Sequence, residues 1–256
     1  MIVVVAKGVQ TGLYLSGQPV LVKECNIIIT QPKVKDIVVF GEDEFLIASN
    51  LITKIDRTAK MMREGNPQLE RFDDFQILLV MMKQEPDIKQ NIEEFLNFIC
   101  IDYEIKTTEA NFEFWMTFEE RSQMVGMINA FNFESFQKIV KDLFEPDNNN
   151  NEPEYNPAND MAAKIAEKIR RGRERKAQLG KEGPQSLFGR YASVLSIGMQ
   201  MDINIFFNYT PFQLYDAFTR YFAKVSSDLY TKVSTTPLMD VSNMEPPEEW
   251  MRNLYQ

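Results

Sequence analysis

The sequence predicts an α+β fold that is mainly helical, with a small N-terminal sheet and helices followed by a helical C-terminal module. Three observations carry this: β-branched runs cut by Gly and Pro within the first thirty residues, apolar residues at helical spacing over most of the rest, and an Asn/Pro-rich interval at 145–157. With 256 residues, 44% of them hydrophobic, the chain can bury a substantial core and is not a disordered polymer.

The opening stretches 2–5, 12–15, 20–22 and 26–30 are rich in β-branched or apolar residues and are punctuated by Gly8, Gly12, Gly17 and Pro19, which reads as short strands or hairpins. Pro32 suits the first turn of a helix, where its missing N–H costs nothing; Val34, Ile37 and Val38 give that helix an apolar face before Gly41. Helical spacing recurs over 43–55, 72–82 and 87–100, and in the last of these Ile88, Ile92, Phe95, Leu96 and Ile99 share one face behind Pro86. Phe112, Phe114, Met116 and Phe118 alternate instead, the mark of a half-buried strand, with Tyr103 and Ile105 as its hairpin partner. Phe133, Phe136, Ile139, Val140 and Leu143 return to the helical period, with Asn132 as the expected N-cap.

Residues 145–157 hold three prolines and five asparagines and offer almost nothing to bury, so they read as a linker between an α+β module at 1–144 and a helical module at 158–256. In the second module, helices are expected near 187–198 and over 211–233. The latter carries a continuous apolar stripe of Pro211, Leu214, Tyr215, Phe218, Phe222, Val225 and Leu229, flanked by Phe212 and Tyr221. Such a stripe is usually core, and otherwise an interface. Near the end, Trp250 and Leu254 fall at helical spacing.

Between 161 and 183, eight Lys or Arg stand against three Glu in a chain of net charge −9. Lys164, Lys168, Arg171 and Arg175 fall on one helical stripe, opposite Ala162, Ile165, Ala166 and Ile169. The plain reading is a solvated face, paired with the acidic remainder; the functional reading is a partner-binding helix for an acidic protein. Nucleic acid is not expected, because the chain is acidic and this segment has no aromatic residue to stack on bases.

Chemistry is hard to place. With no histidine, the commonest general base and the usual transition-metal ligand are both missing. Cys25 and Cys100 stand apart among apolar residues and read as buried free thiols, and neither a P-loop nor a dinucleotide-binding glycine pattern occurs. Neither catalytic residues nor metal or cofactor sites are therefore expected. Adjacent acids such as Asp73/Asp74, Glu93/Glu94 and Glu119/Glu120 read as solvated surface, which leaves a carboxylate-based enzyme as a distant alternative. The apolar run in MIVVVAKGVQ is short for a signal peptide and has no basic region before it; no run reaches the ~18 apolar residues a membrane span needs.

Gln31-Pro32 with Asp36-Ile37, Gly41-Glu42, and Tyr155-Asn156-Pro157-Ala158-Asn159 leading into Ala163, Ile165, Ala166, Glu167, Lys168, Ile169 and the Arg cluster form a set of short runs. Thr210 with Gln213-Leu214-Tyr215-Asp216, and then Trp250-Met251, continue it. Together they resemble the tail assembly chaperones of tailed phages infecting Gram-positive bacteria. The resemblance implies a morphogenesis factor of the host cytoplasm that binds the long tape measure protein and helps recruit tail tube subunits. Self-association remains open beside these partners. The rival reading is a structural tail, baseplate or connector protein retained in the virion.

Overall fold

The computed structural model describes residues 10–118, 121–145 and 186–236. Within them the fold is α+β and mainly helical, with two small antiparallel sheets. The strand expected at 2–5, the interval 146–157, the basic stripe and the Trp250 segment lie outside the described residues.

The N-terminal expectation holds for two strands and fails for one. β1 (Val20–Val22) and β2 (Ile27–Ile29) pair antiparallel, with Val20 opposite Ile29 and Val22 opposite Ile27. These four residues are buried while Leu21 and Ile28 are half-buried, the alternation a pleated strand imposes. The expected strand at 12–15 is instead part of helix α1 (Gln10–Ser16). Leu13 and Tyr14 are adjacent in the chain yet both buried, and Tyr14 meets Phe212 edge-on at 5.4 Å, so a tertiary contact overrides the local Gly signal. Gly17, with φ 67°, ends the helix, and the Gln31 amide donates to the Leu13 and Gln18 carbonyls beyond it.

α2 (Val34–Phe40) begins after Pro32 rather than around it; Lys33 is its N-cap, and the Val34 N–H goes to the Tyr209 carbonyl at 2.8 Å. Gly41 turns the chain at φ 119°, a conformation that disfavours any side chain, directly into α3 (Glu42–Thr53). The break at Lys54 before α4 (Ile55–Gly65) coincides with a polar cluster: buried Glu145 accepts from Thr53 Oγ1 at 2.8 Å and Ser49 Oγ at 3.3 Å, and pairs with Lys54 at 3.1 Å. α5 (Asp74–Gln84) opens with a reciprocal capping box between Asp73 and Gln76, and α6 (Pro86–Ile99) places Pro86 in its first turn as expected.

The second sheet runs β3 (Glu104–Thr107), β4 (Phe112–Phe118), β5 (Arg121–Ile128), all antiparallel. Ile105 faces Phe114 as the hairpin expectation required, whereas β5 has little apolar alternation and is recruited by β4. Gly126 lets β5 press against the β1–β2 turn: a Cβ there would lie 2.6 Å from the carbonyl oxygens of both Cys25 and Asn26.

α7 (Phe133–Phe144) buries Phe133, Phe136, Val140, Leu143 and Phe144. Asn132 stands at the N-cap position as expected, but its side chain is used elsewhere. Asn132 makes no side-chain cap; its amide donates to the carbonyls of Glu24 and Met127, and its oxygen accepts the Asn129 N–H, so it ties the turn to the first sheet.

α8 (Leu187–Met199), α9 (Ile203–Phe207) and α10 (Pro211–Thr235) are the last elements among the described residues, α10 opened by a Thr210/Gln213 capping box. Their Phe188, Ala192, Leu195, Phe206, Phe212 and Leu214 are buried in the same continuous core as Phe45, Phe75, Phe95 and Phe136. The described parts of the two segments therefore share one interior.

Candidate functional site

The four sequence-selected residues, Lys164, Lys168, Arg171 and Arg175, lie outside the described residues, so the fold neither gathers nor separates them. What the structure adds is apolar surface.

The stripe on α10 divides in two. Its first turns are core: Phe212 and Leu214 are buried, Tyr191 of α8 lies 4.3 Å from the Phe218 ring, and Gly198 abuts Tyr221, whose hydroxyl would stand 2.1 Å from a Cβ at that position. α8 then stops at Met199, with Gln200 in a left-handed C-cap, while α10 continues to Thr235. Beyond that point Phe222, Val225 and Leu229 are 47%, 42% and 57% exposed. The expectation that a stripe of this kind is core is thus met where α8 covers it and not beyond. Ile197, on the neighbouring end of α8, is 80% exposed.

A second apolar feature was not legible in the sequence. Phe131, at the turn between β5 and α7, is 99% exposed. Three bonds fix that turn: Asn129 N–H to Asn132 Oδ1 at 2.8 Å, Phe131 N–H to Asn129 Oδ1 at 3.0 Å, and Asn132 N–H to the Asn129 carbonyl at 3.2 Å. Asn side chains that bond backbone two or three residues away hold a turn in one shape, so the ring is presented on a rigid mount. The signal was present as Asn-Ala-Phe-Asn, but periodicity is blind to a single apolar residue in a turn.

The titratable groups whose pKa is displaced are mainly packing features. Burial, then the charge of Glu24, pushes the Cys25 thiol up to about 12; Cys100 is raised by burial and then by Cys25. Both are free and buried, as the sequence suggested. Tyr14 is raised by burial and then by Asp142, to which its hydroxyl donates at 3.5 Å, and burial raises Asp142 in turn. Both thiols and the Tyr14 hydroxyl are held in their neutral forms, the opposite of an activated thiolate. No group of three or more Cys, Asp or Glu placed to hold a metal occurs among the described residues, and no helix there is long and apolar enough to cross a membrane.

Of the runs that carry the chaperone resemblance, those among the described residues tie helices to one another. Glu42 accepts from the head of α8, Gln213 donates to the Leu15 carbonyl at 2.6 Å, and Gln31 secures the end of α1. Comparison with known protein families, curated proteins and solved structures finds no match to this chain.

Proposed function

We propose that this chain is a phage tail morphogenesis factor of the tail assembly chaperone type, binding the tape measure protein and tail tube subunits in the host cytoplasm. The observation that supports a binding role is Phe131: a fully exposed aromatic on a turn braced by Asn129 and Asn132 is what an interface anchor requires, because little ordering entropy is lost when it docks. The resemblance of the short runs supplies the identity of the partners. The basic stripe Lys164, Lys168, Arg171 and Arg175 is the proposed electrostatic guide for an acidic partner.

Co-expression with the tape measure and tail tube proteins of the same phage tests this. The chain is expected to co-purify with them, Phe131→Ala to weaken capture about tenfold or more, and reversal of the four basic residues to Glu to slow association and remove its salt dependence. Failure to co-purify with either partner would count against the proposal. Mass spectrometry of purified virions separates a chaperone, absent from the particle, from a structural tail protein retained in it.

A further inference from the structure

We propose that the outward face of α3 is a docking surface for the chain's own basic segment, with residues 161–176 lying along it as a helix antiparallel to α3. This goes beyond the proposed function, because it fixes how the basic stripe is carried, and it stands whatever the partner of that stripe is.

The tether sets the direction. Both ends of the interval 146–185 are fastened to α3: Glu145 accepts from Ser49 and Thr53 near the end of the helix, and Ser186 and Leu187 donate to Glu42 at its start. At about 1.5 Å per residue, these anchors stand only about 10–16 Å apart along the helix. The chain leaves one end of α3 and must return to the other, so a helix in the interval that runs the direct way is antiparallel to α3. Tethering at both ends also keeps it at high effective concentration beside that face.

Pattern and charge then match in a single register. α3 buries Phe45, Ala48, Ser49, Ile52 and Thr53 on its inner side. On the outer side Ile47 is 54% exposed and Leu51 half-buried, while Asp43 and Glu44 are exposed and have no ion-pair partner among the described residues. The face is thus acidic in its first turn and apolar further on. The segment reads in the opposite order: Ile165, Ala166, Ile169, Arg173 and Lys176 follow at i, i+1, i+4, i+8 and i+11, one helical face that is apolar first and basic later. An antiparallel helix with Ile169 level with Ile47 has Ile165 level with Leu51. It sets Arg173 within one residue of the height of Glu44 on the same flank of the pair, and Lys176 within one turn of Asp43 on the other flank. Apolar meets apolar where basic meets acidic. Lys164, Lys168, Arg171 and Arg175 fall on the outer side of the docked helix, where an acidic partner can reach them.

Disulfide trapping in the full chain tests this, since Cys25 and Cys100 are buried and do not compete. Ile47→Cys with Ile169→Cys is expected to close an intrachain disulfide in mild oxidant, because the bond needs Cα atoms within about 7 Å; Ile47→Cys with Arg171→Cys, on the outer side, should close about tenfold more slowly. In the background of the first pair, Glu44→Arg should slow closure about twofold to fivefold, and Arg173→Glu added to it should restore the rate. Ile47→Asp, at an exposed position, should speed tryptic cleavage between 164 and 176 about tenfold with an unchanged circular dichroism spectrum. Equal closure rates for the two cysteine pairs overturn the proposal. So does a disulfide that joins two chains instead of closing within one, a charge exchange that restores nothing, or tryptic cleavage that Ile47→Asp leaves unchanged.

Discussion

Glu42, in the first turn of α3, caps the first turn of α8: its carboxylate accepts the backbone N–H of Phe188 at 3.2 Å, together with the Leu187 N–H and the Ser186 hydroxyl. Residues separated by 146 positions are joined at the end of a helix whose unpaired N–H groups and positive dipole favour a carboxylate. Glu42→Ala is expected to cost about 1–2 kcal/mol in urea denaturation, the usual loss for a charged cap. Unchanged stability would mean that the joint rests on its apolar contacts alone.

The shared interior makes a second expectation about the joint. The composition of 145–157 predicts that limited proteolysis cuts there first. Because Tyr14 packs on Phe212 and the Val34 N–H is held by Tyr209, the nicked halves should co-elute as one species and part only in denaturant. Halves that separate after cleavage in native buffer would show two independently folding modules.

Gly126 and Gly12 give opposite expectations for the same substitution. At Gly126 a Cβ meets two backbone oxygens at 2.6 Å, which cannot move aside as a side chain could, so Gly126→Ala should destabilise by about 1–3 kcal/mol. At Gly12, inside α1, nothing lies within 4 Å, and Gly12→Ala should stabilise by about 0.5–1 kcal/mol. Thermal melts of both variants check the pair.

The Cys25 thiol makes stability depend on alkaline pH. Its folded value of about 12 stands above the ordinary thiol value of 9.0, so the fold prefers the protonated thiol. That contribution is complete below pH 9, declines as the unfolded thiol ionises, and is lost as pH rises toward 12. Stability measured across this window should fall with rising pH, and a thiol reagent at pH 8 should label neither cysteine until the protein is unfolded. Rapid native labelling would contradict the burial of both.

Asp142 carries a consequence of the same sign in the acid range. Burial raises its carboxyl, with the lysines Lys138 and Lys141 and the Tyr14 hydroxyl pulling the other way. A raised folded value means that the ionised form is disfavoured at neutral pH and that this penalty vanishes once the group is protonated. Asp142→Asn should therefore match or exceed the wild type in stability at pH 7 and gain nothing at pH 3. A loss at pH 7 would show that the charge itself is needed.

The elements most faithfully read from sequence are those whose pattern is repeated. Ile92, Phe95, Leu96 and Ile99 in α6, and Phe133, Phe136, Val140 and Leu143 in α7, are all buried as their spacing required. β4 likewise follows the alternation of Phe112 and Phe114. Strand β5 was missed because its first four residues, Arg121 to Met124, are exposed and leave no apolar alternation to read. The N-cap position of Asn132 was legible, but not the use of its side chain, because local chemistry cannot reveal that Glu24, 108 positions away, supplies the carbonyl its amide reaches.

By itself, then, the sequence determined the α+β class, the helical register of most elements, the burial of both thiols and the absence of histidine chemistry, since each follows from composition or from a short period along the chain. The tertiary structure decided which parts of those patterns are covered. Phe218 and Leu229 belong to one stripe on α10, yet Phe218 lies beneath Tyr191 while Leu229 faces solvent, because α8 ends at Met199. Periodicity reports which residues a helix gathers on one face, but burial depends on whether another element reaches that face. That is a property of the packed chain and not of the helix.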